Sequence, residues 1–206
     1  MLTTSDFLES IISKGKVIYG ISTGFGGNSN IEVDDIEKNQ RTLIRNLTCA
    51  VGETFDSSIT KAAMIIKANC LLHAKSGTRP DVVELLRDMI TSDIIPEVPK
   101  RGSISASGDL IPTAFIGAAM MSQGHVKVKH EGQIKDVNEA FKAVSLTPIT
   151  FKNKDSLTLI NSSSFSAGLA AVVMFGANFS VMLTQTATAM SCEVICAREE
   201  CFDEIN

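Results

Sequence analysis

The feature that most constrains this chain is a long run without charge. From Ser156 to Cys192, 37 consecutive residues include no Asp, Glu, Lys or Arg. That is longer than a bilayer span requires. Two structures accommodate such a run: a helix through a membrane, or a helix in the middle of a bundle, apolar all round. The run carries Asn161, Asn178, Gln185 and many Ser and Thr, and no basic or aromatic flank marks a membrane interface. The reading adopted is a core helix, starting near Ser163 and running to about Arg198. With a mean hydropathy of +0.17, much apolar surface needs covering, by oligomerisation or by structure beyond this chain.

The rest of the chain reads as shorter helices. Apolar residues at helical spacing predict helices over 5–14, 33–51, 57–74 and 81–92. In the third, Ala62, Ile65, Ile66, Cys70 and Leu71 lie on overlapping faces. Pro96 and Pro99 impose an extended segment. Asp109 is placed to N-cap a helix to about Ser122, with Pro112 tolerated in its first turn. Residues 125–129 and 133–137 alternate Val or Ile with Lys around Glu131-Gly132, which predicts a small β-hairpin. Asn138 is expected to cap a short helix to Val144. The fold class is mainly α with one minor hairpin, in 206 residues: one large domain or two small ones.

Composition excludes several functions. The formal net charge is −4 and no Lys/Arg-rich block stands out, so a nucleic-acid partner is not expected. No membrane partner is expected either. The five cysteines are odd in number and lack framework spacing, which reads as free thiols in a reducing compartment. Cys192, Cys196 and Cys201 lack C-x2-C spacing and a nearby histidine, so no metal is expected. The N-terminus shows no basic and apolar leader, and a cytoplasmic location is expected.

Two segments carry chemistry. One is the loop Tyr19-Gly20-Ile21-Ser22-Thr23-Gly24-Phe25-Gly26, which holds the single tyrosine of the chain. It fits neither a dinucleotide fingerprint nor a P-loop. Its alternative reading is a flexible loop, but a lone Tyr beside Phe among glycines looks positional. The other is Gly102-Ser103-Ile104-Ser105-Ala106-Ser107-Gly108-Asp109-Leu110-Ile111-Pro112. Its bland reading is a turn before a helix cap. It is not a nucleophile elbow, because the glycine two positions before Ser107 is missing.

Taken together with Leu159-Ile160-Asn161 and with Lys67-Ala68-Asn69, Ser76-Gly77 and Arg79, these segments closely resemble the aromatic amino acid lyases. That family comprises the histidine, phenylalanine and tyrosine ammonia-lyases and related aminomutases. The likeness runs in order along essentially the whole chain. It implies the N-terminal part of the ammonia-lyase fold: a prosthetic-group domain over 1–150 and the start of a central helical bundle over 151–206.

The resemblance further implies that Ala106, Ser107 and Gly108 cyclise to 4-methylidene-imidazole-5-one (MIO), the electrophile of the family. The Gly108 amide nitrogen would attack the Ala106 carbonyl, with loss of two waters, one from Ser107. Gly108 lacks the Cβ that would block that approach. The helix that follows would point its N-terminal dipole at the group. Ammonia would be eliminated from an aromatic amino acid to give an arylacrylate. Tyr19 matches the catalytic base, and a free phenol titrating near 10 needs cations or donors close by for that task. Gly26 matches a loop position close to substrate, and Asn161 an asparagine near the prosthetic group. Asn46 and Leu47 match the pair that selects substrate; Leu47 suits a phenyl wall and Asn46 could donate to a para-hydroxyl or face solvent. The histidine enzymes' Ser-His pair is absent, so phenylalanine or tyrosine is expected. Alternatives are an aminomutase and a non-catalytic fragment.

Three departures from the family stand out. Asn46 stands where phenylalanine enzymes usually carry an apolar aromatic and tyrosine enzymes a His. The family's Asn-Gly-Thr is here Asn161-Ser162-Ser163, which adds a Cβ beside Asn161. Family members run to several hundred residues. The likeness therefore implies a clipped start and an absent C-terminal bundle that would bring a carboxylate-binding Arg and a second Tyr, partly from neighbouring subunits of a homotetramer.

Overall fold

The computed structural model of the chain describes residues 2–103 and 108–203. The helices are α1 (Leu2–Ser13), α2 (Ile36–Leu47), α3 (Ser57–Leu72), α4 (Pro80–Thr91), α5 (Leu110–Met120), α6 (Val137–Ala143), α7 (Asp155–Ile160) and α8 (Ser164–Val194). The strands are β1 (Val51–Thr54), β2 (Ile95–Pro96), β3 (Pro99–Arg101), β4 (Lys127–His130) and β5 (Gln133–Asp136). The mainly α reading holds. The chain divides into two compact units, one through Leu169 and one from Ala170.

The first unit is built around α5. Every residue from Pro112 to Met120 is buried. Ile44 of α2, Met64 of α3, Leu86 and Met89 of α4, Phe141 of α6 and Leu159 of α7 join the same core, each at most 1% exposed. The hairpin β4–β5 pairs Lys127 with Asp136 and His130 with Gln133. It is extended by β2, with Ile95 opposite Lys129. A second, two-stranded sheet joins β1 to β3. Sequence periodicity missed this sheet because it carried α2 on to Val51. In the structure α2 stops at Leu47, Thr48 leaves helical geometry (ψ 59°) and Gly52 takes φ +91°.

Local expectations were corrected at four places. In α3 the buried stripe is Thr60, Ala63, Met64, Lys67 and Leu71, while Ile65 is half exposed and Cys70 exposed. The apolar spacing did not include Lys67. The cap of α6 is Asp136, which accepts the Asn138 N–H at 2.9 Å, so Asn138 is the donor and not the cap. A separate helix, α7, precedes the long one. Finally, Asp109 occupies the N-cap position of α5, but its side chain makes no bond there. Its carboxylate instead accepts the Ser166 N–H at 2.7 Å and the Ser166 hydroxyl at 2.8 Å. It thereby satisfies an otherwise unpaired N–H in the first turn of α8.

In the second unit, residues of α8 from Ala170 to Ser191 are exposed: Phe175 by 81%, Met182 by 64%. The long apolar stretch that ends at Val194 is long enough to cross a membrane by length and composition, and 6% of its most apolar window is buried. The core-helix expectation is therefore not met within this chain: the apolar helix forms, and its surface is uncovered. Ser180, Thr184, Thr186, Thr188 and Ser191 each donate their hydroxyl to the carbonyl four residues earlier. That removes the polarity of those side chains from the helix surface.

Candidate active site at the tyrosine loop and the end of α7

The glycine-rich loop is a closed, hydrogen-bonded structure. Gly24 N–H donates to Ile31 O at 3.0 Å and Val33 N–H to Ser22 O at 2.9 Å. The Tyr19 phenol oxygen accepts the Gly26 N–H at 3.0 Å, and the Tyr19 ring stands edge-on to Phe25 with centroids 6.1 Å apart. Tyr19 is 48% exposed, so the phenol is held in place and still accessible. Gly20 takes φ +74°, and a Cβ there would stand 2.7 Å from Phe25 Cε1 and 2.9 Å from Leu157 Cδ2. Only glycine satisfies both the backbone angle and the contact with α7.

Gln40, fully buried on α2, ties this loop to α7. Its Nε2 donates to Gly20 O at 2.7 Å, its Oε1 accepts the Ser156 N–H at 3.1 Å, and its own carbonyl accepts the Ser156 hydroxyl at 2.9 Å. A buried amide with each group paired is a rigid joint. Sequence reading singled out Asn46 and Leu47 on this helix and missed the role of Gln40. A lone Gln on the apolar face of an amphipathic helix was the available signal.

At its far end α7 meets the second motif. Asn161 is the exposed C-cap of α7, with φ −80° and ψ 80°. A Cβ on Gly108 would lie 2.9 Å from Ser162 N, 3.1 Å from Ser162 O and 3.2 Å from Asn161 Oδ1. The space beside Gly108 is thus filled by this turn. Asp109 N–H donates to Ser162 O at 2.6 Å, and the Thr113 hydroxyl to Ile160 O at 2.9 Å. Ser162 fits without left-handed backbone, and its hydroxyl accepts the Ser164 N–H at 3.1 Å. The substitution for the family's glycine is therefore accommodated. Ala106 and Ser107 lie outside the described residues.

The structure brings Tyr19 to Gly26 and Gly108 to Asn161, and joins the two pairs through Gln40 and α7. Asn46 and Leu47 are in the last turn of α2, Asn46 exposed and Leu47 half-buried against the core. A cleft of about 1060 Å³ is lined by Lys38, Arg41 and Arg45 of α2 with residues 121–125 and 149–150. None of the candidate residues lines it. Among the described residues no cluster of His, Cys, Asp and Glu could hold a metal.

A buried polar network supports α7 from behind. The Asp155 carboxylate, wholly buried, accepts the Arg79 Nε at 2.7 Å and the Lys152 N–H at 2.9 Å. Burial nonetheless holds the Asp155 carboxyl above the usual range, against those donors. Lys67, 3% exposed, donates its ammonium to Thr158 O at 2.5 Å, and Thr78 Oγ1 donates to Thr158 Oγ1 at 2.7 Å. Burial pushes the Lys67 ammonium down from 10.5 to about 8, with the neighbouring Cys70 a smaller opposing influence.

This arrangement can be compared with known proteins. Residues 1–205 match the aromatic amino acid lyase family. The chain belongs to that family. It is 34% identical to a phenylalanine ammonia-lyase of Aspergillus lentulus over 92% of this chain and 29% of the relative. A histidine ammonia-lyase of a Geobacillus strain is 35% identical, over 96% and 39%. In three dimensions the chain is similar to histidine ammonia-lyase from Trypanosoma cruzi (TM-score 0.84, 26% identity, 95% of this chain and 38% of that one). It is also similar to the phenylalanine aminomutase of Pantoea agglomerans (TM-score 0.82, 28% identity, 88% and 35%). The chain thus spans between a quarter and two fifths of the length of these family members. The fold is that of the ammonia-lyases and aminomutases.

Proposed function

We propose that this chain is the prosthetic-group part of an ammonia-lyase of the phenylalanine or tyrosine type, with Ala106, Ser107 and Gly108 cyclised to MIO. The observation that carries the reading is the space at Gly108. Asn161 Oδ1 and the Ser162 backbone stand where a side chain would be, which supports a close-packed backbone at the cyclising position. MIO supplies an electrophile that activates the amine of the substrate as a leaving group. The chain's own residues do the rest. Tyr19, fixed by the Gly26 N–H and half exposed, takes the β-proton. Asn161, at the end of α7, presents its amide to the prosthetic group. Gly108 lies at the N-terminus of α5, whose dipole favours negative charge there.

Leu47 forms part of an aromatic wall, and Asn46 serves a ring substituent. The absence of a Ser-His pair at these positions supports an arylalanine over histidine. Likeness to an aminomutase, the phenylalanine aminomutase of Taxus canadensis at 35% identity, supports a second reading in which ammonia is re-added at the β-carbon. The uncovered α8 supports a homotetramer held by a helical bundle. Its internally paired hydroxyls suit packing against other helices of the same kind.

Intact mass tests the prosthetic group: the chain should be lighter than its sequence by two waters, and an unmodified mass would identify a non-catalytic relative. Incubation of the protein with Phe, Tyr and His then separates the activities. Cinnamate or coumarate with ammonia is expected; β-phenylalanine would establish the aminomutase, and urocanate alone would overturn the selectivity reading.

A further inference from the structure

The α7 helix ends abruptly, and the residue that ends it is on another helix. Asn161 N–H still closes the helical ladder onto Leu157 O at 3.0 Å. In a continuing helix, Ser162 N–H would next donate to Thr158 O. It donates instead to Ile160 O at 2.9 Å. Thr158 O is therefore the first carbonyl the ladder abandons, and it is buried, where an unpaired acceptor is expensive. The Lys67 ammonium fills the vacancy at 2.5 Å, across 91 residues of sequence. A cation is also the charge that a helix C-terminus favours.

We propose that Lys67 is a positioning residue for formation of the prosthetic group: by taking Thr158 O, it releases the chain from α7 so that Asn161 and Ser162 turn onto Gly108. This rests on the MIO reading above. The geometry favours this role over simple core filling. An apolar residue would fill the same space without desolvating a charge, and the ammonium bonds the carbonyl one turn before Asn161. Arg79 and Thr78 hold the rest of the same short helix, at Asp155 and at the Thr158 hydroxyl. The reaction served is a balanced dehydration. Gly108 N bonds to the Ala106 carbonyl carbon. That oxygen leaves as water with the amide hydrogens of Gly108 and Ser107. The Ser107 hydroxyl leaves as a second water with the Ser107 Cα hydrogen.

The test follows loss of two waters by intact mass after cell-free synthesis of this chain, with thermal unfolding measured on each product. Lys67→Met is expected to slow the loss about tenfold or more, as small displacements at a reacting centre do. Lys67→Arg, which keeps a cationic donor, should recover the rate to within about threefold, and it carries the comparison if Lys67→Met does not fold. Lys67→Met combined with Asn161→Ala should be no slower than Asn161→Ala alone, to within about twofold, because Lys67 acts through that turn. Independent, multiplying effects would show a merely structural lysine and overturn the proposal. So would a wild-type rate in Lys67→Met, or a Lys67→Arg variant that folds and stays as slow as Lys67→Met. Failure of the wild-type chain itself to lose two waters overturns the underlying MIO reading, a result distinct from all of these.

Discussion

Helices α5 and α8 are both apolar and nearly free of charge, yet they meet opposite surroundings. Each residue of α5 from Pro112 to Met120 is buried by neighbours in its own unit. In α8 only Ser164, Phe165 and Gly168 are buried, and the stretch from Ala170 to Ser191 is exposed. Apolarity states that a surface must be covered. It does not state by what: among the described residues α5 has its cover, and α8 from Ala170 on does not.

The largest expected effect comes from removing volume where cover is complete. Ile116→Ala in α5 should destabilise the chain by about 2–5 kcal/mol in denaturant melts, whereas Met182→Ala in α8 should stay within about 0.5 kcal/mol. Equal losses would erase the distinction. Next is the charged group inside the covered region. The folded value of about 8 for Lys67 lies below its ordinary 10.5, so between these pH values the folded chain binds fewer protons than the unfolded one. Stability should therefore rise with pH across that window, by roughly 3 kcal/mol, and level off below 8, where both states carry the proton. In Lys67→Met the same titration should flatten; an unchanged slope would assign it to other groups.

A third test addresses the point where α8 is covered. A Cβ on Gly168 would stand 2.6 Å from the Ala63 backbone nitrogen, so Gly168→Ala should cost about 1–3 kcal/mol in thermal unfolding. The smallest effect on stability is expected at the bare face. Phe175→Ser should leave unfolding within about 0.5 kcal/mol while lowering the associated fraction in light scattering. A destabilised but still associated variant would place the cover of Phe175 within its own chain.

Much of this was legible in sequence. Helical spacing located α2, α3 and α4, and a cap position located α5. The two glycine-containing motifs, with the Leu159-Ile160-Asn161 segment, marked the residues that the structure pairs, Tyr19 with Gly26 and Gly108 with Asn161. What escaped was polar and long-range. Lys67 and Gln40 are buried because carbonyl and amide partners lie 91 and 116 residues away, and no local pattern encodes such a partner. Asp109 sits where a cap belongs and caps a different helix for the same reason. The helix α7 escaped because six residues are too few to show a period.

The distance in sequence between these partners also sets an order of events during synthesis. The tyrosine loop and α2 leave the ribosome early, but Gln40 has no Ser156, Lys67 no Thr158 and Asp109 no Ser166 until the chain has emerged that far. At ordinary elongation rates the first of these waits roughly ten seconds for its partner. The nascent chain thus carries the tyrosine loop well before there is a cradle for Gly108, which waits for the turn at Asn161 and Ser162.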